Sequence, residues 1–322
     1  MAYDINFITG KPVELPAIKG RLKNKVAPLI NGNGYVIDYL HHSVVINKER
    51  KFAFFAASNI NGQSWEAIER KGSFKKDEKA ILAKYQFGKE LYDAIRANGF
   101  SPNDFEQGHL TSFQEVLWGT AAERKKAAAD TFFYTNCVPQ HERVNTGLWR
   151  SLEQYVLKTA TLKYGLKVNV LTGPLLLNND PFYIEKVNNA FVKIPCVFWK
   201  IIYYPNDKGL NAVGFMMSHK QLLLKDGTVT YDTNTVKKSR TLPTEADLFM
   251  DFKYDNVYQV KVEFIQQQTG LKFMLKNVNL PYQTSEKKDL LYKRIEVMRS
   301  AAVSSKKMVE QQLDYKLVGI SL

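Results

Sequence analysis

The sequence predicts an α+β fold: a central, mostly antiparallel sheet with flanking helices. Three observations carry that reading. Short β-branched apolar segments recur along the chain, helical patterns fall between some of them, and the two alternate without the regular spacing of βαβ crossovers. With 322 residues, 45% of them hydrophobic and 12% aromatic, the chain can bury the core of one large domain or two small ones.

Residues 1–34 mix Pro, Gly and Lys and end in NGNGY, which predicts a loosely structured lead-in with a tight turn. HHSVVINKERKFAFFAASNING follows, with two apolar runs around the charged NKERK and a closing Asn-Gly, a β-hairpin pattern. His41 and His42 open its first strand, where a structural or surface role is expected. From Lys75 to Asn98, apolar residues at mixed three and four spacing predict a helix or an extended arm with helical parts. DTFFYTNCVPQ is too aromatic and β-branched for a helix and reads as a strand running into a loop at Pro139. In NTGLWRSLEQYVLKTATLKYG, Leu148, Leu152, Tyr155, Val156 and Leu162 fall at helical spacing, with Gly165 as the stop. KVNVLTGPLLL, IPCVFWKIIYY and NAVGFMMS predict further strands, VEFIQQQTGLKF a short helix ending at Thr269-Gly270, and residues 285–312 a basic helical segment.

Lys and Arg total 45 against 32 acidic residues, a formal net charge of +13, which favours a polyanionic partner through long-range attraction and counterion release. Cys137 and Cys196 cannot build a disulfide framework, and neither lies in a CxxC pair or near a histidine at zinc-ligand spacing. No apolar run reaches the ~18 residues needed to span a bilayer, so no membrane partner is expected. The N-terminus shows neither a secretory nor a transit pattern, and the expected location is the cytoplasm unless an export signal was removed upstream.

The chemistry centres on EQGHL, residues 106–110. Taken alone, His109 is either a packed structural side chain or a general base. Asn145 opens the predicted helix and Glu153 lies eight residues later, on nearly the same face but ~12 Å along the axis. That is too far for both to ligate one ion directly. A helical side chain leans toward the N-terminus, so Glu153 could reach a water on an ion held by the Asn145 carbonyl oxygen, an arrangement that suits Mg²⁺. The alternative is an ordinary N-cap at Asn145, a core anchor at Trp149 and a solvated Glu153. Spacing alone leaves both readings open.

FEQGHL, EVLWG, DTFFYTNCVPQ and VNTGLWRSLEQYVL, in that order, resemble the DNA/RNA non-specific endonuclease family of the ββα-metal superfamily. The family signature is D-R-G-H, then T-N-x-x-P-Q, then N-x-x-x-W-x-x-L-E. The resemblance runs from about Tyr35 to about Phe273 and implies a lead-in over 1–34, a ββα-metal nuclease domain over 35–275 and a basic helical extension over 276–322. It implies metal-dependent, sequence-non-specific hydrolysis of phosphodiester bonds in DNA or RNA. It makes His109 the general base, Asn145 the direct ligand of a Mg²⁺ or Mn²⁺ ion and Glu153 the carboxylate that holds a water on that ion. Asn136 would support the site by hydrogen bonding and Arg50 would contact substrate phosphate.

The chain departs from the family where Glu106 and Gln107 replace Asp-Arg beside the substrate. Glu keeps a carboxylate, whereas Gln loses the bidentate phosphate grip of a guanidinium. Activity is expected, differently tuned. The alternative is a weakened or latent nucleic-acid-binding effector of the same fold that needs a partner for activation. The family implies a homodimer as one assembly, and a non-specific nuclease without a visible export signal implies an inhibitor or regulatory partner.

Overall fold

The computed structural model describes residues 1–92, 105–231 and 257–282, together with strand residues 292–294, 296–299 and 315–318. A nine-stranded sheet organises them. Its strands are β1 (Ile37–Tyr39), β2 (His42–Asn47), β3 (Phe52–Asn61), β6 (Lys167–Pro174), β8 (Val197–Asn206), β9 (Gly209–Ser218), β11 (Tyr258–Val260) and β13 (Tyr292–Arg294), adjacent in that order. All these neighbours are antiparallel, and only β12 (Val278–Asn279) joins parallel, against β9. The expected hairpin is β2–β3. Its turn is built by Asn47, whose Oδ1 accepts the N–H groups of Glu49 and Arg50 at 3.0 and 3.1 Å.

Alternation along the strands separates two apolar layers. In β8, Phe198 and Ile202 enter one core, while Val197, Trp199, Ile201 and Tyr203 enter the other. The first layer is covered by the hairpin of β4 (Glu106–His109) and β5 (Cys137–Gln140), by α2 (Ala121–Asp130) and by α3 (Trp149–Gln154). Helix α2 starts at a capping box, in which Thr120 accepts from Glu123 N and Glu123 accepts from Thr120 N. Helix α4 (Lys220–Lys225) packs Leu222 and Leu223 into the first layer, and the second layer is covered by α5 (Val262–Thr269), which stops at Gly270 in the left-handed conformation (φ 68°). Two smaller ladders, β7 (Phe182–Tyr183) with β10 (Val229–Thr230) and β14 (Glu296–Arg299) with β15 (Tyr315–Val318), complete the strands.

Four expectations need correction. In DTFFYTNCVPQ, Tyr134–Asn136 is a 3-10 turn, and the strand starts only at Cys137 and runs through Pro139 instead of ending there. The first 34 residues are packed on the second layer: Tyr3, Ile8, Val13 and Ile18 are buried there and Ala17 bridges to Lys272. The expected continuous helix after Asn145 is interrupted. Val144–Leu148 and Tyr155–Leu162 are π-helical turns on either side of α3, and Gly147 leaves helical geometry altogether (φ −97°, ψ −120°). Within the C-terminal segment read as helical, the described residues 292–294 and 296–299 are strand, as are 315–318 farther along. The helical reading of Lys75 to Asn98 holds for α1 (Lys89–Tyr92), and its remainder from residue 93 lies outside the described residues. Among the described residues, no helix is long and apolar enough to cross a membrane.

Candidate active site

Hairpin β4–β5 explains why a glycine precedes the histidine. Gly108 faces Val138 across the ladder, and a Cβ on it would overlap the buried side chain of Gln140. His109, opposite Cys137, ends the strand with its ring 4.7 Å from Phe74 and 5.1 Å from Phe132, edge-on to the latter. Its Nε2 is shielded from solvent with no hydrogen-bond partner among the described residues. Burial, then the neighbouring charges of Arg70 and His42, push its pKa from 6.5 down to about 3, so the imidazole is neutral at physiological pH.

Asn136 fixes the chain beside it. Its amide accepts from Thr111 N at 2.9 Å and donates to the carbonyls of Thr111 (2.9 Å) and Thr131 (3.1 Å), while Leu110 N donates to its own carbonyl. These bonds are fully buried and pin the two residues that follow His109.

His109, Asn145 and Glu153 line one cleft of about 520 Å³, together with Arg70, Ser112, Glu115 and Arg150. The broken helix therefore still brings the three expected residues together, although not by an unbroken 3.6-residue repeat. Glu153 is not solvated: its carboxylate lies 3.1 Å from Lys200 Nζ, which also lies 3.0 Å from Glu115. Burial pushes the Glu153 carboxyl up, with Lys200 opposing and Glu115 adding to the rise. Trp149 packs beneath as expected, 3% exposed, with Lys200 Nζ 5.5 Å from its ring centre.

The other expected residues lie elsewhere. Arg50 is committed to Asp180 at 2.7 Å and to the carbonyls of Leu177 and Lys193, away from the cleft lining. Gln107 Nε2 points to Tyr134 OH at 3.4 Å, and neither it nor Glu106 lines the cleft. Cationic charge at the cleft comes instead from Arg70, whose guanidinium lies 5.7 Å from the Phe132 ring centre, and from the exposed Arg150. Sequence reasoning missed these two, Glu115 and Lys200. Lys200 alone had a signal: it is the one charged residue in the apolar run VFWKIIYY. His41 and His42 are buried and structural in placement, His41 stacked on Trp118 at 3.4 Å and His42 on Tyr39 at 4.9 Å.

By donor type, the cleft fits a hard cation that keeps most of its waters. Asn145 and Glu153 offer oxygen, and no group of three or more His, Cys, Asp or Glu placed to hold an ion occurs among the described residues.

The sequence pattern of the DNA/RNA non-specific endonuclease family matches residues 21–279. The chain belongs to the DNA/RNA non-specific endonuclease family. It is 30% identical over 272 residues to the protein y4fB of Sinorhizobium fredii, covering 81% of this chain and 37% of that one. A nuclease of Nostoc sp. is 23% identical over 287 residues, 87% of this chain and 84% of the relative. Human mitochondrial endonuclease G is 31% identical over 104 residues, 30% of this chain and 33% of the enzyme. The chain thus spans about a third of the lengths of the rhizobial and human relatives. Among solved structures, the EndoG/EndoGI complex, in which EndoG is inhibited, shares the fold with a TM-score of 0.53 at 19% identity, over 78% of this chain and 92% of the other. The fold is the α+β, ββα-metal architecture of this family.

Proposed function

We propose that this protein is a metal-dependent, sequence-non-specific endonuclease that hydrolyses phosphodiester bonds of DNA, RNA or both, with His109 as general base and a Mg²⁺ held by Asn145. The observation that carries the reading is the convergence of His109, Asn145 and Glu153 on the wall of one cleft. Family membership and the net charge of +13 support a polyanionic substrate.

When bound, the ion supplies positive charge that stabilises the pentacovalent phosphate and the departing oxygen. Asn145 Oδ1 would ligate it and Glu153 would orient its hydration shell. The protein does the remaining work. His109 accepts the proton of the attacking water, its ring held in place against Phe74 and Phe132. A pKa of about 3 makes the free imidazole a weak base. The phosphodiester charge, once seated, raises that value toward the working pH and offsets Arg70. Arg70 and Arg150 replace the cation missing at Gln107 and grip phosphate oxygens.

The test is cleavage of supercoiled plasmid and of structured RNA with Mg²⁺, Mn²⁺ or EDTA, beside His109→Ala and Asn145→Ala. Metal-dependent degradation that both substitutions abolish is expected. Tight, salt-sensitive binding without cleavage in either metal would refute the enzyme reading in favour of a binding effector.

A further inference from the structure

Lys200 sits at the centre of β8, paired with Thr172 of β6 on one side and Phe215 of β9 on the other, and is 0% exposed. It lies on the sheet face beneath the cleft, in register with Phe198 and Ile202. Its Nζ reaches Glu115 at 3.0 Å and Glu153 at 3.1 Å. Glu115 is in turn held by Ser58 Oγ of β3 at 2.9 Å. The chain Ser58–Glu115–Lys200–Glu153 therefore runs from two strands of the rigid sheet to one cleft carboxylate.

Helix α3 offers Glu153 little rigidity of its own. It has six residues between two π-helical turns, and a glutamate carries three rotatable bonds. Moving a carboxylate by one ångström would misdirect whatever it orients, so the anchor must come from outside the helix. A buried lysine also carries a large desolvation cost, which a merely structural position would avoid with an apolar residue.

We propose that Lys200 is a positioning residue: anchored by Glu115 and the central sheet, it holds the Glu153 carboxylate in the geometry that the cation's hydration shell requires. The inference rests on the nuclease reading of the cleft.

The experiment is a Mn²⁺ titration of the purified full chain without nucleic acid, followed by electron paramagnetic resonance. Lys200→Met combined with Glu115→Gln removes one charge of each sign, so no unpaired Glu115 is left behind. Its half-saturating Mn²⁺ concentration is expected to rise at least about tenfold, the range seen when partners of metal-site residues are removed. Lys200→Arg keeps the cation and is expected to stay within about threefold of the parent; it also serves should the double variant not fold. Asn145→Ala is run alongside and is expected to abolish the tight site. If Asn145→Ala abolishes binding while the folded double variant binds like the parent, the positioning role is overturned and the nuclease reading survives. A tenfold loss in a folded Lys200→Arg variant also overturns it. If Asn145→Ala binds Mn²⁺ unchanged, the metal reading of the cleft falls, and the role of Lys200 falls with it.

Discussion

Acidification from pH 7 to pH 5 is expected to remove about 4 kcal/mol of folding stability, through histidines that the core holds neutral. His42 and His219 are 0% exposed and His109 is mostly shielded; burial lowers their pKa values from 6.5 to about 4, 3 and 3 respectively. Because the folded values are the lower ones, the unfolded chain takes up protons first. Their stabilisation is complete above 6.5 and is lost as pH falls toward the folded values. At pH 5 each has lost about 2 kcal/mol, at about 1.4 kcal/mol per pH unit, which makes about 6 for the three. Asp180 acts in the opposite sense. Burial raises its pKa from 3.8 to about 6, so its protonation in the folded state returns about 1.4 kcal/mol by pH 5, and the raised Glu153 carboxyl works the same way. The assay is urea denaturation followed by tryptophan fluorescence at both pH values and constant ionic strength, with the parent and with His219→Gln. Glutamine can accept from His141 N and donate to the Pro195 carbonyl, as His219 does, yet binds no proton. The variant should lose about 2 kcal/mol less between pH 7 and pH 5 than the parent. Equal stability of the parent at both pH values, or equal losses in parent and variant, would refute the reasoning.

Other outcomes follow from the same contacts. Gly108→Ala should destabilise the hairpin by about 1–3 kcal/mol, through overlap with Gln140, and thermal denaturation of Gly108→Ala with Gln140→Ala should show partial recovery. Arg50→Leu, which takes its ion-pair cation from the 0% exposed Asp180 carboxylate and leaves it the Leu177 N–H, should cost about 3 kcal/mol in chemical denaturation while leaving the nucleic-acid KM within twofold; a large rise in KM would return Arg50 to the substrate. Arg150→Gln should lower the slope of log affinity against log salt by about one, read from filter binding across salt concentrations. Lys200→Met alone, with Glu115 and Glu153 left facing each other, should lose about 3–5 kcal/mol, more than the double variant with Glu115→Gln.

What the sequence made legible was local. The β2–β3 hairpin, strands β6, β8 and β9, and α5 with its Gly270 stop are all written in periodicity and turn residues that sit side by side. The lead-in was misread because Tyr3, Ile8, Val13 and Ile18 follow no period; their burial depends on a sheet that forms from residues far along the chain. The helix after Asn145 had the right apolar spacing, but Gly147 breaks it, and a spacing argument cannot see backbone angles. The C-terminal segment reads as a basic helix, whereas Tyr292–Arg294 is recruited as a strand by β11. At the site, His109, Asn145 and Glu153, which the resemblance names, line one cleft. Arg50 points to substrate only through the resemblance, because Asp180, its partner 130 residues later, lies beyond any local pattern. Lys200 was passed over for the same reason: its two carboxylates come from distant segments.

The recruitment of Tyr292–Arg294 also bears on how the protein can be shortened. Tyr258, Gln259 and Val260 of β11 are covered on their outer edge by Arg294, Lys293 and Tyr292. A chain cut at residue 279, the end of the family match, would keep every cleft residue named above yet present the backbone donors and acceptors of a buried, uncharged strand to solvent. Such a margin is a template for pairing with another copy. Soluble fragments therefore need to extend past Arg294, and those that stop earlier should self-associate as their concentration rises.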